Sequence, residues 1–484
     1  MKGEAFGSAR SSAVWSFLAL TIVVLALRAM WFGDPVADYD EQVYSHIGRG
    51  LLEGHLPYVE TWDRKPFGLF ALYALAHLLG GPGPLAYQLL ASGLVLLGAW
   101  QIRKLILPIT GQVGGIMLAL LYPVGMSVWG NHSGQSEAIF MPFLLGAFII
   151  VLGERDRARP ARLALAMLLC GLALQIKYTV LPACLFLGLQ SLWYLRLNGA
   201  GPIRLLRLAV VFVAIGLLPT LLVGLAYAAT GAFQTFWFAN FVSIFERDGL
   251  SRWYGMIERA TLILLAPAAC GLITASQQKD ILRNPRYLAL LGFGSSLMIG
   301  VFLPAMVLRY YLAMAVAGTL LVAAPLVSQG SRWLILPYSL IWWLWIFMTF
   351  PIENFQMTRE NRGSFVDLVS VIAPQVDQER QCLWIHDGPV ALYRASGSCV
   401  PTRWAYPDHL NNWREHNALE VEQVAEVQRI LATRPPVIVT ADFPVTEPNE
   451  QVARLVEDEL AAHYRRLATR RILQRDITVW QRPD

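Results

Sequence analysis

The chain has 484 residues, is 55% hydrophobic and only 15% charged, with a mean hydropathy of +0.46. Soluble domains carry roughly 25% charged residues, so the composition excludes a soluble globular protein and points to a polytopic membrane protein. The formal net charge of +5 suits basic loops on one membrane face and leaves no nucleic-acid footprint.

Lys2 and Arg10 precede an apolar run from Ser12 to Phe32. No small-residue cleavage site is evident, so this reads as a retained first span with its basic start inside. Just beyond it lies Asp38-Tyr39-Asp40-Glu41-Gln42-Val43-Tyr44. Keeping three carboxylates charged beside hydrocarbon is costly, which marks them as functional candidates. Residues 42–53 place Val43, Ile47 and Leu51 on one helical face and Gln42, His46, Arg49 and Glu53 elsewhere, and Gly54 ends the run. Phe67–Leu79 opens after Pro66 and ends at Gly80-Gly81. At 1.5 Å per residue it is too short to cross a bilayer. Both segments are therefore expected as interfacial helices in the first outer loop.

Further spans are expected over 85–102, 112–130, 138–152, 163–177, 179–195, 208–228, 260–275, 288–304, 310–327 and 333–350, about eleven with the first. Arg103-Lys104, the Arg155–Arg162 cluster, Arg196, Arg204, Arg207, Lys279, Arg283, Arg286 and Arg332 then share the side of the N-terminus. The opposite side receives the Asp40 loop, the Asn131–Glu137 loop, the segment 230–259 and the C-terminal tail. Counting Phe67–Leu79 as a span would spoil this pattern. The segment 230–259 carries Phe236, Trp237, Phe238, Phe241, Phe245, Trp253 and Tyr254 among Glu246, Arg247 and Asp248. It suits a segment that clamps a lipid or covers a cleft, or an ordinary aromatic belt.

Composition changes at Glu353. Residues 1–352 read as the transmembrane domain and 353–484 as a small soluble α/β domain on the outer face. Cys382–His386, Pro436–Thr440 and Ile477–Gln481 read as strands, and Leu419–Leu431 and Asn449–His463 as amphipathic helices. Cys170, Cys184 and Cys270 sit in apolar runs as packing residues. Cys382 and Cys399 can form a disulfide if the tail faces an oxidising compartment; otherwise they are two free thiols.

Asp38 and Asp40 form an Asp-x-Asp pair followed by Glu41. A carboxylate here can act as general base on a hydroxyl, and the pair can also hold a hard divalent cation. Helix capping is the bland alternative, and the two roles can coexist. Arg64 and Lys65 before Pro66 suit a lipid phosphate, with plain snorkelling toward the headgroups as the alternative. Arg309 and Tyr310 occupy an outer turn where a cation breaks the charge trend, and Lys177 marks another outer turn. Glu137 faces outward at a span start as a substrate contact or helix-start carboxylate, and His132 nearby suits hydrogen bonding better than proton abstraction. The sequence contains no Gly-x-x-x-x-Gly-Lys-Ser/Thr loop, His-Glu-x-x-His or Cys-x-x-Cys, and no sizeable inner domain for a nucleotide sugar. A group-transfer donor used at the outer face would then be lipid-linked.

Asp40-Glu41-x-x-Tyr44, Gly54…Pro57-Tyr58, Lys65-Pro66 and a helix ending Leu79-Gly80 resemble the first outer loop of GT-C glycosyltransferases, nearest to the protein mannosyltransferase and aminoarabinose transferase branch. Ser136-Glu137, Gly171-Leu172-Ala173…Lys177 and Arg309-Tyr310 fit the same pattern, and the likeness spans roughly residues 12–325. Phe67 departs from it, since many relatives carry a second proline there. The resemblance implies a GT-C fold and inverting transfer of a sugar from a polyprenyl-phosphate donor. The acceptor would be a hydroxyl of lipopolysaccharide or lipid A, a surface glycan or a protein. Asp40 would be the base, with Asp38 or Glu41 assisting. Lys65 and Arg309, with Arg64, Tyr310 and Lys177, would receive the donor phosphate. Tyr58, Glu137 and His132 would contact substrate. The resemblance leaves open a divalent metal, Mg or Mn, on Asp38 and Asp40. It is compatible with a bacterial inner membrane, a cytoplasmic N-terminus and a periplasmic tail. A transporter or flippase of lipid-linked sugars is the alternative. That reading calls for mid-span charges and paired broken helices, whereas the charges here cluster at one face. A third reading is a scaffold whose outer domain binds a partner, for which Asp40 would be dispensable.

Overall fold

The structure, a computed structural model, describes residues 2–248, 255–303, 308–328 and 352–483. The chain divides into two compact units. One comprises Met1–Met30, Gln88–Leu222 and Leu250–Pro351, and the other Trp31–Tyr87, Val223–Gly249 and Ile352–Asp484. By compactness the C-terminal segment from Ile352 groups with the first loop.

Across the described residues, four helices are long and apolar enough to cross a membrane: Ser11–Trp31, Leu85–Val128, Tyr178–Leu197 and Pro202–Ala229. The spans expected over 85–102 and 112–130 are two arms of one 44-residue stretch, Leu85–Val128, broken at Gly111 with φ +69°. Pro108 weakens the preceding turn, and glycine tolerates the positive φ that reorients the chain. Ser136–Leu152 and Pro160–Leu174 have 17 and 15 residues. Such helices reach only about 22–26 Å against a hydrocarbon core of roughly 30 Å. Further helices run Gly255–Gln277, Pro285–Val301 and Leu312–Val322. The span expected over 333–350 lies outside the described residues, as do Trp253, Tyr254 and Arg332.

In the second unit the two expected interfacial helices run Tyr39–Leu52 and Phe67–Gly80. They pack at Gly48, where an added Cβ would lie 2.8 Å from Tyr73 Cβ and 2.9 Å from the Ala74 nitrogen. The aromatic segment is helical: Phe233–Trp237, a π-helical turn Phe238–Val242, then Ser243–Glu246. Its residues split between two environments. Phe236 is buried and stacks on Tyr227 with ring centroids 5.1 Å apart, whereas Phe245 is 86% exposed.

The C-terminal residues form a four-stranded sheet, β1 (Trp384–Ile385), β2 (Val437–Ala441), β3 (Arg465–Ile472) and β4 (Arg475–Gln481), in the order β1-β2-β4-β3. β1 and β2 are parallel; the other pairings are antiparallel. β3 and β4 join through Leu473 and Gln474, both at positive φ, the geometry of a tight hairpin. Helices Gln423–Ala432 and Glu450–His463 start at the side-chain caps of Glu422 and Asn449. Sequence patterning misses β3 and the helix Ile352–Ile372. β3 is an edge strand bearing Arg465, Arg466, Arg470 and Arg471 on largely exposed positions. Charge of this kind guards an edge against intermolecular pairing and also masks the alternation of a strand. Cys382 and Cys399 form a disulfide with Cα atoms 4.7 Å apart.

A buried ion triad ties the second unit together. The Arg64 guanidinium pairs in bidentate fashion with Glu415, and Arg247 Nη2 reaches Glu415 Oε1 at 2.6 Å. The Glu415 side chain is 1% exposed. Burial by itself would raise its pKa, but Arg64 and Arg247 hold it down at about 2, from 4.5.

The triad's share of stability is complete above pH 4.5 and declines as pH falls toward about 2, a loss of roughly 3 kcal/mol. Glu415→Gln, which strands two arginines, is expected to cost about 3–5 kcal/mol and to remove that acid-side decline when thermal unfolding of the detergent-solubilised chain is followed against pH. Replacing Cys382 and Cys399 together by serine opens a loop of sequence separation 17 and is expected to cost about 3 kcal/mol, read as earlier protease cleavage within the C-terminal segment during heating.

Candidate active site

The candidate residues fall in both units. Asp38, Asp40, Glu41, Tyr58, Arg64 and Lys65 lie in the unit of the first loop and the C-terminal sheet. His132, Glu137, Lys177, Arg309 and Tyr310 lie in the helical unit.

Asp38 is the N-cap of helix Tyr39–Leu52, in extended conformation, and its Oδ1 accepts the Asp40 N–H at 2.9 Å. This cap satisfies an orphan amide and fixes the first turn. Asp40 is thereby set on that turn, partly accessible, with its carboxylate held from two sides. Tyr44, one helical turn on, donates its hydroxyl to Oδ2 at 3.2 Å, and Tyr406 donates to Oδ1 at 3.4 Å. Burial raises the Tyr406 pKa well above its usual value, and the charges of Asp40, Asp408, Asp38 and Asp63 add to the shift. Tyr406 therefore stays protonated and remains a donor to Asp40. Glu41 turns inward. It is 0% exposed and accepts the Tyr87 hydroxyl at 3.4 Å.

Lys65 Nζ lies over the Tyr44 ring, 5.6 Å from its centroid. Its backbone is pinned twice: Asp63 Oδ1 accepts the Lys65 N–H at 2.8 Å, and the Tyr58 hydroxyl donates to the Lys65 carbonyl at 2.9 Å. Tyr58 is fully buried, at φ +69°, against Tyr227 and Phe70. Its place in the fold is beneath Lys65. Asp63 is buried, which raises its pKa; the nearby Lys65 and Arg64 charges oppose that rise and Asp40 adds to it. Arg64 is the arginine committed to Glu415.

In the helical unit Glu137 and Lys177 form a buried ion pair, with side chains 1% and 6% exposed. The Lys177 ammonium also lies 3.7 Å from the Tyr311 ring centroid and 5.1 Å from that of Tyr310. Ser136 donates its hydroxyl to Glu137 Oε2 at 3.1 Å. The loop before it, Asn131–Gln135, is held by Arg28, which donates to the carbonyls of Asn131 and Ser133 and to Ser92 Oγ. Asn131 in turn donates to the Tyr310 carbonyl at 3.1 Å, and Arg309 donates to the Val128 carbonyl at 2.7 Å. His132 is half-buried in this loop.

Sequence reasoning missed Tyr44, Asp63, Tyr406 and Arg28 as site-shaping residues, and the pairing of Glu137 with Lys177. The four-residue spacing of Asp40 and Tyr44 puts them on one helical face, and Arg28 is a lone cation closing an apolar run. Both signals were available. Tyr406 stands 366 residues from its partner, and no local pattern announces it. Among the described residues, no group of three or more His, Cys, Asp or Glu side chains could hold a metal ion. Asp38 Oδ1 serves the helix cap, and Asp40 accepts the hydroxyls of Tyr44 and Tyr406.

No protein-family profile and no curated protein matches the sequence. Solved structures do match in fold. ArnT from Cupriavidus metallidurans bound to undecaprenyl phosphate superposes with TM-score 0.63 at 14% identity, covering 96% of this chain and 97% of that one. Its apo state gives TM-score 0.63, 14% identity and coverage of 97% and 98%. The Archaeoglobus fulgidus oligosaccharyltransferase in complex with Zn and sulfate gives TM-score 0.51 at 11% identity, covering 94% of this chain and 79% of that one. At such identities the likeness is one of fold, and it extends over nearly the whole chain. Together with the apolar helices, it makes this a membrane protein with the GT-C fold.

Proposed function

We propose that the chain is an integral-membrane inverting glycosyltransferase that moves a sugar from a polyprenyl-phosphate donor to an acceptor hydroxyl. The observation that carries this reading is the Asp40 carboxylate, capped into place by Asp38 and oriented by two hydroxyls, one of them from Tyr44, over whose ring Lys65 Nζ lies. The bound undecaprenyl phosphate of the ArnT neighbour supports a lipid-linked donor. The acceptor class is lipopolysaccharide or lipid A, a surface glycan or a protein. The expected setting is a bacterial inner membrane with the C-terminal sheet on the periplasmic side, where the Cys382–Cys399 disulfide suits an oxidising compartment.

In the proposed reaction the acceptor O–H loses its proton to Asp40 as its oxygen attacks the anomeric carbon. The bond from that carbon to the phosphate oxygen breaks, and the polyprenyl phosphate departs with the electron pair. Negative charge grows on the phosphate during this step, and a cation already in place stabilises it without reorganisation. The departing phosphate is assigned to Lys65, whose backbone Asp63 and Tyr58 hold on either side. Arg309, with Tyr310 beside it, is the candidate donor contact of the helical unit. Glu41, buried against Tyr87, supports the helix that carries the base. No step of the proposed reaction passes through a metal.

The test is sugar transfer from a panel of short polyprenyl-phosphate sugars by the detergent-purified chain, with and without a chelator. Asp40→Asn is expected to lower release of polyprenyl phosphate by about 10²–10⁴-fold with unchanged thermal unfolding. Lys65→Met is expected to lower it by about 10²–10³-fold. Wild-type turnover by Asp40→Asn would sink the assignment of the base, and no transfer from any donor by the wild type would favour a flippase of lipid-linked sugars. Tyr406→Phe removes one donor to the carboxylate but not its charge. It is expected to cost about tenfold in turnover, and full activity would remove Tyr406 from the site.

A further inference from the structure

Helix Tyr39–Leu52 has a second polar flank, distinct from the one that bears Asp40. Gln42, Ser45, His46 and Arg49 recur there at three- and four-residue spacing, and all four line a cleft that also receives Arg394 and Tyr87. The cations of this cleft are poorly balanced. Arg394 pairs with Glu53, which is 44% exposed. Arg49 has no hydrogen bond or ion pair from its side chain among the described residues; the charge of Arg394 opposes its own, and that of the Glu53 already paired with Arg394 favours it. Other hydrogen-bonding capacity goes unused beside it, since Arg394 Nε and His46 Nδ1 are buried with no partner. Burial pushes the His46 pKa down to about 3, so the ring is neutral and adds no charge of its own. Two guanidinium groups therefore face one exposed carboxylate, which leaves a positive charge for a ligand to match.

The surroundings indicate the kind of anion. The cleft is walled by Pro82 and Pro84 of the turn after helix Phe67–Gly80. The residues flanking that turn are apolar yet exposed: Leu75 45%, Leu78 68%, Leu79 79% and Leu85 44%. A cationic cleft beside uncovered leucines offers a charged head and an acyl chain one place each. We propose that this cleft binds the phosphoryl headgroup of an anionic membrane lipid, with Arg49 as its principal contact. Arg394 completes the cradle while remaining paired with Glu53, and the leucines take the first part of the acyl chains. The site stands apart from Asp40 and Lys65 and does not depend on the glycosyltransferase reading.

The experiment uses the full chain in nanodiscs of zwitterionic phospholipid, titrated with phosphatidylglycerol and, separately, with inorganic phosphate. Thermal unfolding and native mass spectrometry of retained lipid give the readouts. Phosphatidylglycerol is expected to raise the unfolding temperature and to be retained, and Arg49→Gln is expected to weaken that retention by about tenfold without changing unfolding in purely zwitterionic discs. Arg394→Gln is expected to weaken retention as well. Arg49→Lys, which keeps the charge, is expected to restore part of the affinity and so separates a binding role from a structural one. Equal retention by wild type and Arg49→Gln overturns the site. Stabilisation by inorganic phosphate that matches phosphatidylglycerol and needs Arg49 overturns the lipid assignment in favour of a free phosphoanion.

Discussion

The unit that carries Asp40 depends on one buried carboxylate. Glu415 receives Arg64 from the first loop and Arg247 from the helical aromatic segment, so three distant stretches of chain meet on two oxygens. A carboxylate this buried is tolerable only because both cations are present. Anchoring Arg64 also anchors its neighbour in sequence. Lys65 is the next residue, its amide held by Asp63 and its carbonyl by Tyr58. Tyr58 in turn packs on Tyr227, which donates to the Pro57 carbonyl. The position of the proposed phosphate cation is thus set by its neighbours on both sides, before any ligand arrives.

The helical unit solves a similar problem with different parts. Its Asn131–Gln135 loop would carry unpaired carbonyls at the end of a long apolar helix, and Arg28 supplies three donors to it and its surroundings. The loop leads into Glu137, which is neutralised by Lys177, and Lys177 is in turn covered by the tyrosine faces of 310 and 311. Both ionisable groups of that pair are matched within the unit, as burial demands. In both units the polar residues that sequence reasoning selects for chemistry also hold the backbone in shape.

Much of this was legible locally. Helices 39–52 and 67–80 rest on the Asp38 cap, the apolar spacing of Val43, Ile47 and Leu51, Pro66, and the glycines that end each run. The charge cluster at Asp40 also stood out, because charge is scarce in so apolar a chain. Long-range pairing was not legible. Tyr406, Glu415 and Arg475 reach partners hundreds of residues away, and periodicity carries no information about which distant residue completes a pair. β3 was hidden for another reason: an edge strand needs charge more than alternation, so its four arginines obscured it. The two spans read on either side of the polar Arg103-Lys104 interval correspond to two helical arms that meet where the backbone leaves helical geometry at Gly111.

The separation of 351 residues between Arg64 and Glu415 has a consequence for biogenesis. At about 5–20 residues per second, Arg64 leaves the ribosome roughly 20–70 s before its carboxylate. During that interval the first loop has its helices and the local contacts at Lys65, but not the carboxylate that anchors Arg64. A chain interrupted anywhere before the last quarter would insert its early helices yet leave this unit open. Assembly of this unit therefore waits on the synthesis of Glu415, however early its first loop is made.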